Sequence, residues 1–92
     1  MTKRMDEASK EIQALPVYPG KPGVIRMEKG YQFTVSVPDG DEAFLLLYHA
    51  GEKKPVKEIP LSEEKKTGNL VSVCVTGISP DRYEYNYRIG NE

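Results

Sequence analysis

The stretch from Gly30 to Gly51 constrains the fold of this 92-residue chain more than any other part. In its first half, residues 31–37, apolar and polar side chains alternate, which predicts a strand with one buried face. The segment Pro38–Asp41 then predicts a turn, because proline fixes φ and Gly40 permits a positive φ. The second half, residues 43–49, is apolar on both faces. We interpret it as a central strand covered on both sides, although a short helix is the alternative.

Further strand patterns flank this pair, each bounded by glycine, proline or charged turns. They lie at residues 24–27, 56–61, 71–76 and 83–89. Pro60 interrupts the second of them, which predicts a strand at a sheet edge. Six or seven short strands at a spacing of roughly 8–15 residues are typical of an antiparallel β-sandwich of immunoglobulin type. The chain has no tryptophan and one cysteine, which excludes an antibody-type domain but not the wider sandwich class.

The first residues differ in character from the rest of the chain. Residues 1–15 are charged and contain no glycine or proline, and their apolar side chains recur at helical spacing: Met5, Ala8, Ile12 and Leu15. This pattern predicts a short amphipathic helix or arm. The prolines and glycines of residues 16–23 predict an extended lead-in that makes no strand ladder. The expected organisation is therefore an arm at residues 1–15 and a single β-sandwich at residues 16–92.

Because side chains alternate between the two faces of a strand, the odd or even position of a residue within its strand predicts whether its side chain joins the core. The positions that share one face within their strands are Phe33, Val35, Leu45, Leu47, Val73, Val75 and Tyr85. The opposite side of the apolar strand presents Phe44, Leu46 and Tyr48, which cannot enter the same core. We expect this second set to be covered by Ile12 and Leu15 of the arm, or by a neighbouring domain.

Composition excludes several function classes. The net charge of −1 comes from 13 basic and 14 acidic residues that are scattered along the chain, so no nucleic-acid partner is expected. No apolar run approaches the roughly 18 residues that cross a membrane, and residues 1–15 lack a hydrophobic signal core. A cytoplasmic protein is therefore expected, unless an exporting segment precedes the chain. Cys74 lies in an apolar run and is predicted to be a buried, inert thiol.

Arrangements that carry out catalysis are absent from the sequence. His49 is the only histidine, and the single cysteine cannot supply the further ligands of a metal site. No glycine-rich loop lies between a strand and a helix, and no serine has a plausible base. The sequence therefore predicts a non-catalytic module without a metal or cofactor.

Three segments carry a resemblance to a known family. They are PVYPGKPGV at residues 16–24, GYQFTVSVPDGDEAFLLLYH at residues 30–49, and VSVCVTGISPDRYEYNYRIG at residues 71–90. Together they resemble the N-terminal β-sandwich of isoamylase, pullulanase and glycogen-debranching enzymes of the α-amylase family, grouped with carbohydrate-binding module family 48. The most specific element is Tyr85-Asn86-Tyr87-Arg88-Ile89-Gly90, which is similar to the family's last strand.

The resemblance implies a domain of a longer glucan-active enzyme, with the catalytic barrel of the same polypeptide as its partner and the catalytic residues outside this chain. It also implies that α-glucan is a candidate ligand. Because tryptophan is missing, Tyr18, Tyr48 and His49 are the candidate sugar-binding residues, with packing as the alternative role for Tyr48. A second function class stays open, namely a protein-interaction sandwich of fibronectin type III kind with no role in carbohydrate metabolism.

Overall fold

The computed structural model describes residues 12–90, which form seven strands and no helix. The strands are β1 (Gln13–Val17), β2 (Gly23–Arg26), β3 (Tyr31–Ser36), β4 (Ala43–His49), β5 (Lys57–Pro60), β6 (Leu70–Thr76) and β7 (Tyr83–Ile89). The predicted all-β class is confirmed. Within residues 12–90, nothing forms a helix that is long and apolar enough to cross a membrane.

The strands form two antiparallel sheets that pack as a sandwich. One has the order β1-β6-β3-β2 and the other the order β5-β4-β7. The two strands of residues 30–51, β3 and β4, lie in opposite sheets, each in the interior of its sheet. The turn between them is closed by the Asp41 amide, which donates to the Pro38 carbonyl at 3.2 Å, and Gly40 has a φ of 87°. This turn therefore carries the chain from one sheet to the other.

The core lies between the sheets and confirms most of the positions predicted from parity. Phe33, Leu45, Leu47, Val73 and Val75 are all buried. Val35 is half-buried against the core. Further buried side chains complete it: Val37, Ala43, Ile59, Leu61 and Val71.

The prediction that Tyr85 is buried is wrong, because its side chain is 49% exposed. Its parity was correct, since Tyr85 pairs with the inward-facing Leu47. However, β7 is an edge strand, and the facing edge strand β2 has only four residues. The tyrosine therefore faces inward at a side of the sandwich that is not closed.

A strand of the structure overlaps the end of the arm predicted at residues 1–15. Residues 13–15, predicted as the end of a helix or arm, form β1 together with Pro16 and Val17 and pair with β6. Proline is tolerated here because β1 is an edge strand, where a missing amide donor need not break the ladder. The remainder of the predicted arm, residues 1–11, lies outside the described residues. The strand predicted at a sheet edge around Pro60 is confirmed as β5.

The connection between β1 and β2 crosses the outer face of the four-stranded sheet. Val17 pairs with Ser72, Ser72 with Thr34, and Thr34 with Gly23, so residues 18–22 must pass over the sheet at this level. We call residues 18–22 the strap. It explains why Ser72 and Thr34, which face away from the core, are each only 3% exposed. Their hydroxyl oxygens are 2.6 Å apart, and Gln32 Nε2 donates to Ser72 Oγ at 2.9 Å.

Cys74 lies on this same outer face, next to the exposed Leu15. Its thiol is free and half-buried, so the expectation of full burial is wrong. The reason is its parity in β6, where Val73 and Val75 take the inward positions.

Candidate functional site

The candidate residue Tyr18 lies on the strap. Its side chain is 70% exposed, and Lys65 Nζ lies 5.3 Å from the centre of its ring. Its backbone carbonyl accepts a hydrogen bond from Gln32 Nε2 at 3.3 Å, which ties the strap to β3. Tyr18 therefore presents an open ring on a backbone that is held in place, which is the geometry that stacking against a flat apolar surface requires.

The candidate residues Tyr48 and His49 lie at the end of β4 and point to opposite faces of its sheet, because side chains alternate along a strand. Tyr48 is half-buried on the outer face, opposite Glu84. His49 is exposed, and its ring lies 5.1 Å from that of Tyr83 at an angle of 41°. Sequence reasoning did not select Tyr83, since the contact depends on the pairing of β4 with β7.

The structure does not bring the three candidates together. Tyr18 follows Val17, which pairs with Ser72 near the start of β6, and its neighbour Lys65 belongs to the loop before β6. Tyr48 and His49 lie next to the start of β7, which the chain reaches after the end of β6. Tyr18 is therefore on the other sheet and toward the other end of the sandwich. A sugar chain could stack on one location or the other, but not on a single platform made from both.

An apolar cleft, which sequence reasoning missed, opens between the sheets where β2 and β7 form the edges. Its volume is about 170 Å³. The residues that line it include Val24, Tyr31, Phe33, Ile78, Tyr83 and Tyr85. The rings of Phe33 and Tyr85 meet edge to face with centres 5.1 Å apart. We call this feature the aromatic cleft. The alternation of Tyr83, Tyr85 and Tyr87 in the sequence predicts that their rings point inward. It does not predict that this side of the sandwich is open.

The outer face of the three-stranded sheet is covered by its own side chains. Arg88 on β7 donates to Glu58 on β5 at 3.1 Å, so the ion pair spans the central strand β4. The Arg88 guanidinium carbon also lies 4.7 Å from the centre of the Phe44 ring. Leu46, which faces the same way, is only 8% exposed.

The expectation that Ile12 and Leu15 cover this face is wrong. Leu15 belongs to the other sheet and is 65% exposed, and Ile12 packs against the core between the sheets. Long side chains from the flanking strands provide the cover instead, since an arginine can lay its apolar stem and planar head over neighbouring apolar groups.

Among residues 12–90, no group of three or more histidine, cysteine or acidic side chains is placed to hold a metal ion. Two groups titrate away from their ordinary ranges. Burial, and secondly the charge of Tyr85, raise the pKa of Tyr87 from 10.0 to about 12. The hydrogen bond to Asp39 raises the pKa of Lys66, supported by the charges of Asp39 and Glu63 and opposed by burial. Lys66 joins the loop before β6 to Asp39 in the turn before β4, and neither Lys66 nor Tyr87 lines the aromatic cleft.

The described residues form a small antiparallel β-sandwich with exposed aromatic side chains. No protein-family model matches the chain, and no curated protein matches it. Among solved structures, the chain is similar to the pullulanase from Paenibacillus barengoltzii in complex with maltohexaose and α-cyclodextrin. The TM-score is 0.65 and the sequence identity 27%, over 80% of this chain and 11% of the pullulanase chain. The chain thus resembles a β-sandwich domain of a pullulanase and spans about a tenth of that enzyme's length.

Proposed function

We propose that this chain is a non-catalytic accessory domain of an α-glucan-active enzyme of the α-amylase family. In this proposal it supports a catalytic barrel of the same polypeptide and binds glucan weakly. The observation that carries the proposal is the similarity to a pullulanase region over 80% of this chain at 27% identity. The resemblance of the three sequence segments to the N-terminal sandwich of debranching enzymes is consistent with it.

The chemistry of the exposed surface favours weak binding. Tyr18 and His49 present open rings, and apolar sugar faces stack on such rings. However, these two residues lie apart, and the aromatic cleft has almost only apolar side chains around it. A sugar placed there would lose hydrogen bonds to water without gaining equivalent ones. We therefore expect a single stacking contact with an affinity on the order of 1 mM, or about 4 kcal/mol.

Titration of the isotope-labelled chain with maltohexaose and with α-cyclodextrin, followed by NMR, tests the proposed glucan site. We expect weak, saturable shifts centred on Tyr18 or on Tyr48 and His49. Tyr18→Ala or Tyr48→Ala should abolish the shifts at its own location. Leu15→Ala is the control, because it removes an exposed apolar side chain that has no ring. Micromolar binding that survives both tyrosine substitutions would contradict this account of the site.

Two observations test the supporting role. They are the sequence of the whole polypeptide and the binding of the separately expressed sandwich to the rest of that polypeptide. A barrel with paired catalytic carboxylates in the same polypeptide, which the separately expressed sandwich binds, is the expected result. Tandem sandwiches instead of a barrel would favour the alternative, a protein-interaction module of fibronectin type III kind.

A further inference from the structure

The strand β7 forms one edge of the three-stranded sheet, and within residues 12–90 no strand pairs with its second side. Sheet edges are usually protected against pairing with another chain by shortness, proline or lysine. The other three edge strands of the described sheets have such protection: β1 contains Pro16, β2 has four residues, and β5 has four residues that include Lys57 and Pro60. By contrast, β7 has seven residues without proline or lysine and pairs with β4 in an unbroken register. It is therefore a regular edge without protection.

The hydrogen bonds at the two ends of β7 show which of its backbone groups face outward. The Arg82 carbonyl and the Gly90 amide, which flank β7, bond to the residues that flank β4 at 2.8 and 2.7 Å. In an antiparallel pair, the residues that bond to one neighbour alternate with those that face the other side. Even-numbered residues of β7 therefore face β4, and odd-numbered residues face the free side. Consistent with this, the Tyr87 amide donates to Asn86 Oδ1, at 2.8 Å, and not to β4.

The outer-face side chains of β7 are complementary to a second copy of themselves. They are Glu84, Asn86 and Arg88. When two copies of β7 pair antiparallel about Asn86, Glu84 of each copy lies opposite Arg88 of the other, and the free amides and carbonyls of odd-numbered residues meet. A shift by two residues would place Arg88 opposite Arg82 in one direction, or Glu84 opposite Gly90 in the other. The charges therefore favour one register.

We propose that two copies of this chain pair through β7 and join their three-stranded sheets into one continuous sheet with a two-fold axis at Asn86. Directly opposite residues face the same side of a sheet, so Tyr87 of the second copy would lie beside Tyr85 on the inner face. This contact would cover the ring of Tyr85, which is 49% exposed in the single copy. The two aromatic clefts would adjoin at the axis, and their apolar surface would be removed from water there.

Analytical ultracentrifugation of the full 92-residue chain tests the pairing. We expect a monomer–dimer equilibrium that shifts toward the dimer as the concentration rises. Glu84→Arg should raise the dissociation constant about tenfold, because the two symmetry-related ion pairs become pairs of like charge. Glu64→Arg is the matched control, since Glu64 is exposed in the loop before β6 and its change should leave the equilibrium unaltered. A chain that stays monomeric at millimolar concentration would overturn the proposal.

A mixture of two variants tests the register. Arg88→Glu alone should weaken dimerisation, since it places acidic side chains opposite each other. An equimolar mixture of Glu84→Arg and Arg88→Glu restores opposite charges at both positions, so mixed dimers should be tighter than the dimers of either variant alone. Because Arg88 also contacts Glu58 and Phe44, circular dichroism is used to confirm that its variant is folded. Dimerisation that is insensitive to all of these charges would contradict the register.

Amide hydrogen exchange locates the interface without any substitution. The amides of Tyr83, Tyr85 and Ile89 face the free side, so their exchange should slow as the dimer forms. The amides of Glu84 and Asn86 face β4 and are the control, because they should be protected at every concentration. A dimer in which the Tyr85 amide exchanges as fast as in the monomer would form through another surface and would overturn the proposal. Protection of this amide that does not depend on concentration would also overturn it, since a segment of the same chain would then occupy the edge.

Discussion

Phe33 connects the two sheets through a contact between aromatic rings. It is 3% exposed in the interior strand β3, and its ring contacts the edge strand of the opposite sheet through Tyr85. Truncation would remove a buried ring from a position whose neighbours are fixed by strand pairing, so the surroundings cannot fully close the space.

Phe33→Ala should lower the free energy of unfolding by about 3–5 kcal/mol. That loss is a large share of the stability of a small domain. The urea midpoint measures it. Tyr18→Ala is the matched control, because its ring is 70% exposed and its removal should change the midpoint little. Equal midpoints for the wild type and Phe33→Ala would contradict this placement of the core.

Gly30 is required for a different reason, because its backbone passes very close to β6. A Cβ at this position would collide with the carbonyl oxygen of Val75 and would lie 2.9 Å from the Thr76 methyl carbon. A backbone carbonyl in a strand cannot move aside as a flexible side chain can.

Gly30→Ala should therefore destabilise the domain by about 1–3 kcal/mol, as overpacking does in other proteins. Thermal unfolding followed by circular dichroism is the measurement. Gly20→Ala is the control, since a Cβ at Gly20 meets nothing within 4 Å. If both substitutions lowered the melting temperature equally, close packing at Gly30 would not be the cause.

At the scale of the elements, β4 is apolar on both faces, and the two faces are covered differently. The inner face is buried in the core, whereas the outer face is covered by side chains of β5 and β7. Arg88 is central to this cover, since it contacts both Glu58 and the Phe44 ring.

Arg88→Ala should increase binding of a hydrophobic dye and lower the free energy of unfolding by about 1 kcal/mol, since it removes a cation–π contact and a partly exposed ion pair. Arg82→Ala, in the exposed turn before β7, is the control. Dye binding that rose equally in both variants would mean that Arg88 does not protect this face.

The strap shows how an element without regular structure can be fixed by the sheet beneath it. Its two ends are set by the pairing of Val17 with Ser72 and of Gly23 with Thr34. The buried hydroxyl groups of Ser72 and Thr34 hydrogen-bond to each other, so their burial does not leave them unpaired. The sequence SVCV reads as an ordinary alternating strand, and nothing in it indicates that the polar face is covered.

At the scale of the whole molecule, two raised pKa values link stability to alkaline pH. A group whose pKa is higher in the folded state binds its proton more tightly there, so its contribution is complete below the unfolded pKa and is lost as pH rises. For Tyr87 this range runs from about 10 to about 12. Lys66 acts in the same direction, because its pKa is also raised.

The domain should therefore lose stability between about pH 10 and pH 12, and Tyr87→Phe should reduce the slope of that loss. Urea midpoints across this range provide the test, with Tyr18→Phe as the control for an exposed tyrosine. A slope that Tyr87→Phe left unchanged would show that deprotonation of Tyr87 does not drive the alkaline loss.

The sandwich is closed on one side and open on the other. Ile59 and Leu61, on and just after β5, are buried. On the opposite side, the short β2 faces the tyrosines of β7 and leaves the aromatic cleft. The misassigned Tyr85 and the missed aromatic cleft both lie on the open side.

The amino-acid sequence by itself determined the strands β2 to β7, the turns between them and the face of each that points inward, because a period of two is a local property of neighbouring residues. It therefore predicted the interior strands β3 and β4 and the buried Phe33, Leu45 and Val73. Only the tertiary structure decided which strands pair across long sequence separations. That pairing turned residues 13–15 into a strand, separated Tyr18 from Tyr48 and His49, and left Tyr85 exposed in a cleft. The position of a side chain within its strand decides on which face of the sheet it lies, whereas residues distant in the sequence decide whether it is buried there.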